Sequence, residues 1–270
     1  MEAEVVDVAD VTKVGAPSWT LLWSEPGRAA AELATLFMTG PFLRRAARGD
    51  GHSVLVLPGF LASDRSTAVL RRYVAFLGYR AYGWELGRNI GPASHILEGM
   101  EAQLERLANR SGGKVSVVGW SLGGMYARSL GREMPKYVRQ VITLGSPFRG
   151  EIPISSHVQG PFDRLRHLHV ADDELPPAEL DRAPIDMPLT AVFSRGDGIV
   201  AWQSCIQEPG HERENIEVIG SHCGLGHNPA AMWVVADRLA QPEGEWTPFE
   251  PPSPFRSLYP YTVHDADRVG

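Results

Sequence analysis

The stretch that decides the fold of this 270-residue chain is Val115-Ser116-Val117-Val118-Gly119-Trp120-Ser121-Leu122-Gly123-Gly124. A short β-branched run leads directly into a Gly-x-Ser-x-Gly motif, and a helix-forming segment follows at once. This order is typical of a nucleophile elbow, a tight strand-to-helix turn that exposes a serine hydroxyl. The glycines leave room for strand and helix to approach each other. We therefore predict Ser121 as a nucleophile at a helix N-terminus, where free N–H groups favour developing negative charge.

The rest of the chain alternates between short apolar runs and segments with helical periodicity. This alternation predicts a mainly parallel sheet with helices on both faces. Strands are expected at residues 52–57, 79–84, 114–119, 137–144, 189–193 and 216–219, and helices at 63–76, 95–109, 122–134 and 229–239. Ser63 or Asp64 is the expected N-cap of the first of these helices, and Asn228 that of the last.

Composition divides the chain into three parts around this α/β core. Residues 1–50 are predicted to be a helical segment packed on the core, and residues 51–242 the α/β domain itself. Residues 149–187 are rich in Pro, His and Asp, which favours a lid-like insertion over one end of the sheet. Residues 243–270 form a Pro-rich tail, predicted to be extended.

The segment from residue 17 to residue 48 has two interpretations. Apolar residues such as Leu33, Leu36 and Phe37 recur at helical spacing, with an interruption near Gly40-Pro41. The segment either packs on the core or lies on lipid or over the active site. We favour packing, because the arginines that follow make only a weak basic face.

The bulk properties exclude several kinds of partner. A formal charge of −6 gives no reason to expect nucleic acid or an anionic membrane. No apolar stretch is long enough for stable membrane insertion. The acidic start lacks the basic and apolar regions of a secretory signal, so a cytoplasmic location is expected. The oligomeric state is left open.

A serine hydroxyl needs a base to remove its proton, and a histidine base needs a carboxylate to orient it. Asp197 lies in a Gly-flanked loop after one predicted strand, and His222 lies in a Gly-flanked loop after the next. Both side chains would then project from carboxyl ends of parallel strands, at the same rim as Ser121. We predict Ser121, Asp197 and His222 as the catalytic residues.

Other residues compete for two of these roles. His227 is the alternative base, although its position at the start of the last helix favours a structural role. Asp186 and Asp172 are weaker alternatives for the acid, because the insertion gives them no fixed place at the rim.

Two backbone N–H groups are needed to stabilise the oxyanion. Leu122, which follows the nucleophile, is predicted to supply one, and Phe60 in the Pro58-Gly59-Phe60 loop the other, with Leu61 as the alternative. Three apolar residues are predicted to line an acyl pocket, although core packing explains them equally well: Trp120, Met125 and Phe148.

The two cysteines, Cys205 and Cys223, are either free thiols or a disulfide that joins two loops at the rim. The run His167-Leu168-His169, with two aspartates nearby, is a weak metal signal, since three or four ligands of defined geometry are required. We expect no metal and no cofactor.

Five blocks carry a resemblance to a known family: Leu57-Pro58-Gly59-Phe60, Gly119-Trp120-Ser121-Leu122-Gly123, Leu144-Gly145-Ser146-Pro147, Asp197-Gly198-Ile199-Val200 and Gly220-Ser221-His222-Cys223-Gly224-Leu225. From about Ser53 to Leu239 the chain resembles the α/β-hydrolase superfamily, in its lipase-like and esterase-like branch. The resemblance implies the α/β-hydrolase fold and hydrolysis of a small-molecule or lipid ester through an acyl-enzyme. It also implies Ser121 as nucleophile, His222 as base and then acid, and Asp197 as the residue that orients the histidine. Many relatives carry His-Gly where this chain has Pro58-Gly59, so its oxyanion loop departs from their pattern.

Two further functions are kept beside ester hydrolysis. An acyltransferase would use the same three residues, with an alcohol in place of water. A non-catalytic binding module would keep the fold alone, but it would not need all three residues in order. Haloalkane and epoxide chemistry on such a fold calls for an aspartate nucleophile, which the serine at position 121 argues against.

Overall fold

The computed structural model describes residues 15–149, 156–171, 184–208 and 210–264 of the chain. The helices are α1 (Trp19–Leu43), α2 (Ala68–Phe76), α3 (Ser94–Ser111), α4 (Leu122–Glu133), α5 (Gln159–Leu165) and α6 (Pro229–Ala240). The strands are β1 (Ser53–Leu57), β2 (Arg80–Gly83), β3 (Val115–Trp120), β4 (Val138–Leu144), β5 (Leu189–Phe193), β6 (Arg213–Glu217) and β7 (Thr262–His264).

Within the described ranges these seven strands form one sheet in the order β2-β1-β3-β4-β5-β6-β7. All neighbouring pairs are parallel except β6 and β7, which are antiparallel. The parallel pairs are joined by long crossover connections, which contain an α-helix in every case except the one from β5 to β6. The predicted α/β class with a mainly parallel central sheet is confirmed. β7 is a three-residue strand inside the Pro-rich tail, where the sequence predicted no strand.

The core lies on both faces of the sheet because successive strand residues point to opposite sides. On β1, Val54 and Val56 pack with buried residues of α2 and α6. Leu55 and Leu57 point the other way and pack with buried residues of α3 and α4. A strand covered on both faces has no polar side, which explains its unbroken apolar sequence.

Two predicted boundaries were wrong. The helix expected from residue 63 begins at Ala68, and its N-cap residue Thr67 makes no side-chain capping bond. Asp64 is not a cap, because its carboxylate accepts hydrogen bonds from the backbone N–H groups of Trp84 and Glu85, at 3.0 and 3.1 Å. Asp64 therefore holds in place the residues that follow β2.

The strand expected at residues 216–219 begins earlier, at Arg213. The first residues of this strand were not predicted because they are polar. Glu214 is buried there, and its carboxylate lies 2.7 Å from the guanidinium of the equally buried Arg238 on α6. Partnering of this kind allows a charge to lie inside a strand.

Helix α1 runs through Gly40 and Pro41 without the predicted interruption and ends at Leu43. It packs against α6 and against the loops that follow β5 and β6. Among the helices that the structure describes, none is both long and apolar enough to cross a bilayer.

Candidate active site

Ser121 stands at the turn between β3 and α4, one residue after the strand ends and one before the helix begins. Its backbone angles are φ 55° and ψ −124°. A non-glycine residue at positive φ is strained, and such strain persists mainly at functional sites. The serine N–H donates to the carbonyl of Leu144 at 2.8 Å, and its own carbonyl accepts from the N–H of Gly124 at 2.9 Å. These bonds hold the strained turn in place.

The glycines of the motif are required by close packing around this turn. A Cβ at Gly119 would overlap the backbone of Gly123, and a Cβ at Gly123 would overlap the carbonyl of Leu57. A Cβ at Gly59 would lie 3.1 Å from the Cβ of Ser121. The loop after β1 therefore lies directly against the serine.

Asp197 lies in the loop after β5, which we call the acid loop (residues 194–200). Its carboxylate is buried, and Oδ1 accepts hydrogen bonds from the backbone N–H groups of Ile199 and Val200, at 2.8 and 2.7 Å. The other oxygen, Oδ2, lies 2.5 Å from Nδ1 of His222. The acid loop thus fixes one oxygen and aims the other at the imidazole.

His222 lies in the loop after β6, which we call the histidine loop (residues 218–228). Burial alone would lower the pKa of His222, but the charge and hydrogen bond of Asp197 and the charge of Glu25 outweigh burial and raise that pKa above its usual 6.5. The carbonyl of His222 accepts a hydrogen bond from the indole N–H of Trp120 at 3.1 Å. Asp197 therefore orients the imidazole, and Trp120 holds the backbone of the same residue.

Gly145 lies beside the histidine–aspartate pair and directly follows a residue that binds the serine turn. Ser121 is hydrogen-bonded to Leu144, the residue before this glycine, and a Cβ at Gly145 would lie 3.2 Å from Nδ1 of His222 and 3.3 Å from Oδ2 of Asp197. Among the described residues, Ser121 Oγ makes no hydrogen bond.

The rival residues that the structure describes have other environments. Nε2 of His227 lies 2.9 Å from the carbonyl oxygen of Ala29 on α1, so this imidazole fastens α1 to the start of α6. Asp186 is exposed ahead of β5. Asp172 lies outside the described residues.

The structure distinguishes between Phe60 and Leu61, the two candidates in the loop of residues 58–61, which we call the oxyanion loop. The N–H of Leu61 donates to the carbonyl of Asn89 at 2.7 Å, so it is not free for an oxyanion. The N–H of Phe60 has no acceptor within the described part of the chain. Leu122 is the first residue of α4, where a helix leaves its N–H groups without intrahelical partners.

The predicted pocket residues occupy different environments. Trp120 packs under the histidine loop, where a Cβ at Gly226 would lie 2.8 Å from its ring. Phe148 is buried, with the guanidinium of Arg128 4.0 Å from its ring centre. Met125 is half-buried beside the apolar core between α3 and α4. Of the three, Met125 and Trp120 are partly exposed, whereas Phe148 is buried.

The described part of the insertion lies over the oxyanion loop and the acid loop. The ring of Phe162 on α5 lies 5.3 Å from that of Phe60, and His169 Nε2 lies 2.7 Å from the carbonyl oxygen of Ile90. Ser156 forms an isolated antiparallel bridge with Val200. Residues 150–155 and 172–183 of the insertion lie outside the described residues.

A second serine–histidine–aspartate arrangement, which sequence reasoning missed, occupies the opposite end of the sheet. His52 Nε2 lies 2.8 Å from Ser116 Oγ, and its Nδ1 contacts Asp50. Burial lowers the pKa of His52, and the charge of Arg139 lowers it further, against the opposing effect of Asp50. Ser116 is 0% exposed in the middle of the sheet, so no substrate reaches its hydroxyl.

The cysteines are both free thiols, which decides the alternative left open by the sequence. Burial and the charge of Glu25 raise the pKa of Cys223 to about 12, and burial raises that of Cys205. Neither forms a thiolate near neutral pH. No group of three or more potential metal ligands occurs among the described residues, and the two aspartates that follow His167 and His169 lie outside those residues.

Comparison with known proteins gives matches by structure alone. No protein-family model matches the chain, and no curated protein matches it by sequence. Aspergillus fumigatus lipase B is similar in structure, with a TM-score of 0.55 and 17% identity, over 72% of this chain. The chain spans about half of that lipase, since the match covers 53% of it. A thermophilic esterase matches with a TM-score of 0.50 and 14% identity, over 71% of this chain and 90% of the esterase.

Proposed function

We propose that this chain, which has the α/β-hydrolase fold, is a serine hydrolase that cleaves carboxyl esters through an acyl-enzyme. In this proposal Ser121 is the nucleophile, His222 is the base and then the acid, and Asp197 orients the histidine. The observation that carries it is the strained backbone of Ser121, at φ 55°. Strain at a serine beside a buried histidine–aspartate pair is explained by chemistry at that serine.

The reaction would run in two halves. In the first, Ser121 Oγ attacks the ester carbonyl carbon while His222 Nε2 takes the hydroxyl proton. The resulting oxyanion lies at the N–H groups of Leu122 and Phe60, and its collapse expels the alcohol, which takes the proton from His222. In the second, a water attacks the acyl-serine, gives its proton to His222, and the acid leaves as the proton returns to Ser121 Oγ.

Asp197 would support both halves without itself taking up a proton. Its Oδ2 holds the Nδ1 proton of the imidazole, which leaves Nε2 free to accept the serine proton. Its other oxygen is already committed to two backbone N–H groups, so the carboxylate cannot swing away.

The test is to trap the acyl-enzyme. A series of p-nitrophenyl esters of increasing acyl length should give hydrolysis, and rapid acid quenching followed by peptide mass spectrometry should find the acyl group on Ser121. An acyl group on another residue, or no hydrolysis of any ester together with no acyl-enzyme, would contradict the proposal. With an added alcohol as acceptor, a new ester in place of free acid would identify the protein as an acyltransferase.

The pH dependence of kcat/KM follows from the raised pKa of His222. The imidazole must be neutral to accept a proton, so kcat/KM should fall as the pH drops through the pKa of His222 in the free enzyme. Because that pKa is raised above 6.5, the acidic limb should lie at higher pH than an unperturbed histidine would give. A kcat/KM profile with its acidic limb below pH 6 would contradict this assignment.

A further inference from the structure

Helix α1 turns its charged residues toward the protein and leaves several of its large apolar side chains exposed. Trp23 is 77% exposed and Phe37 84% exposed, whereas Leu36, Phe42 and Leu43 near the end of the helix pack on the core. Its three charged residues, Glu25, Arg28 and Glu32, point instead toward the acid loop and the histidine loop. A surface helix normally shows the opposite arrangement, with its apolar stripe toward the core. Polar contacts to these two loops are therefore a main attachment of α1.

Glu25 makes the most extensive of these contacts. The residue is 2% exposed, and its Oε1 accepts hydrogen bonds from the N–H groups of Gly198 at 2.8 Å and His222 at 3.0 Å. Its Oε2 accepts from the N–H of Cys223 at 2.8 Å. One carboxylate thus bonds the residue after Asp197, His222 itself and the residue after His222.

Arg28 binds the same two loops, but it donates hydrogen bonds where Glu25 accepts them. Its guanidinium lies 2.8 Å from Glu25 Oε1 and donates to the carbonyl of Gly196 in the acid loop at 2.5 Å. It also donates to the carbonyl of Gly220 in the histidine loop at 3.5 Å. Glu25 therefore holds the N–H groups of both loops, and Arg28 holds their carbonyls. A buried carboxylate is tolerated only with such a complete set of donors.

The fit leaves no room for adjustment. A Cβ at Gly198 would overlap the backbone of Leu21 on α1, and a Cβ at Gly224 would overlap the side chain of Glu32. The helix is thus seated directly on both loops, and the Glu25 carboxylate lies at the point where they come together.

We propose that Glu25 is a positioning residue of the active site, whose carboxylate joins the acid loop to the histidine loop and holds the His222 imidazole in place against Asp197. The role in the reaction rests on the proposed function. The joining of the two loops rests on the contacts alone. Glu25 does not touch the reacting atoms, since its contacts are with backbone N–H groups and with Arg28.

The position of Glu25 also has an electrostatic consequence. The charged and titratable groups around His222 are Asp197 on the acid loop, Glu25, Arg28 and Glu32 on α1, and Cys223 on its own loop. Asp197 and Glu25 both raise the pKa of the imidazole. Replacing Glu25 by glutamine removes one of these two charges and leaves the Arg28 charge without its partner. Both changes lower the pKa of His222.

The test compares Glu25→Gln with Glu32→Gln. Glu32 is a matched control, because its carboxylate also comes from α1 and accepts from the N–H of Ser221 at 2.7 Å, but it is not among the groups that shift the pKa of His222. Glu25→Gln should lower kcat/KM by about 10- to 100-fold, mainly through kcat, as expected for a misplaced catalytic group. Its acidic limb should move to lower pH, whereas that of Glu32→Gln should stay in place. Glu98→Gln, on the exposed side of α3, controls for the loss of any surface charge.

A readout independent of turnover is the pKa of His222 measured by NMR on ¹⁵N-histidine-labelled protein. It should fall in Glu25→Gln and stay at the wild-type value in Glu25→Asp, which keeps the charge but is too short to reach both loops. The kcat of Glu25→Asp should still be lower than that of wild type. If Glu25→Gln does not fold, Glu25→Asp alone tests the proposal. Folding of each variant is checked by its thermal unfolding transition.

The proposal is overturned if folded Glu25→Gln keeps both the wild-type kcat/KM and the wild-type pKa of His222, or if Glu32→Gln shifts that pKa equally. It is likewise overturned if Glu25→Asp, tested alone, keeps the full wild-type kcat. If the wild-type protein hydrolyses no ester, the proposed function is contradicted, and not the joining of the two loops. The NMR titration would then still decide whether Glu25 controls the imidazole.

Discussion

Ser121→Ala is expected to abolish covalent labelling by a fluorophosphonate probe and to lower kcat for ester hydrolysis by a factor on the order of 10⁶. The reason is that, in the proposed mechanism, this hydroxyl is the group that is acylated. Both free thiols keep a raised pKa, so neither supplies a thiolate there. Labelling is followed by intact-protein mass spectrometry, in which wild type should gain one probe adduct.

Ser116→Ala is the matched control for this prediction. Ser116 also contacts a histidine that contacts an aspartate, but it is buried near the start of β3. We expect full labelling and a kcat within about twofold of wild type, with a loss of about 1 kcal/mol in unfolding free energy for one broken hydrogen bond. Undiminished labelling of Ser121→Ala, or loss of labelling in Ser116→Ala, would overturn the assignment of the nucleophile.

A comparison of Ser116 with Ser121 shows what the Gly-x-Ser-x-Gly motif predicts beyond the presence of a serine. Ser116 lies on β3 and Ser121 directly follows it, five residues later, and Ser116 contacts the His52 side chain. The Gly-x-Ser-x-Gly pattern singles out Ser121, because glycine at both sides is required only where the chain turns sharply against its neighbours. The elbow is local in sequence and therefore predictable, as are the strand ends that place Asp197 and His222 at one rim.

The attachment of α1 was not predictable in the same way. The apolar periodicity of residues 17–48 correctly predicts a helix, but it assigns Phe37 to the packed face, whereas the structure leaves it 84% exposed. The contacts that hold α1 join Glu25 to residues more than 170 positions away in the chain. No spacing rule encodes such a contact, because it depends on how the finished loops present their N–H groups.

The polar start of β6 was not predicted, for a related reason. Arg213 and Glu214 do not fit a buried strand by residue type. Glu214 is acceptable in the core because distant residues partner its carboxylate: Arg238, Thr190 and the backbone N–H of Phe249. Sequence patterns therefore located the elements whose burial is apolar, and they failed where burial depends on a polar partner elsewhere in the chain.

Asp197→Asn is expected to lower kcat by about 10⁴-fold, with the fold intact. Oδ1 of Asp197 accepts two backbone N–H groups, from Ile199 and Val200, so the asparagine must place its carbonyl oxygen there. Its NH₂ group then faces Nδ1 of His222 and donates to it. The imidazole must accept at Nδ1, which leaves its proton on Nε2.

In that tautomer His222 presents an N–H group toward Ser121 and cannot take up the serine proton. The same substitution removes the charge and the hydrogen bond that raise the pKa of His222, so burial should dominate and that pKa should fall. The ¹⁵N chemical shifts of His222 should therefore report a proton on Nε2 in Asp197→Asn and on Nδ1 in the wild-type protein at high pH. An unchanged tautomer with full activity would show that Asp197 does not orient the base, and the assignment of the acid would pass to another residue. Loss of activity with the tautomer unchanged would leave Asp197 a role through its charge alone, because the hydrogen-bond argument predicts that the two readouts change together.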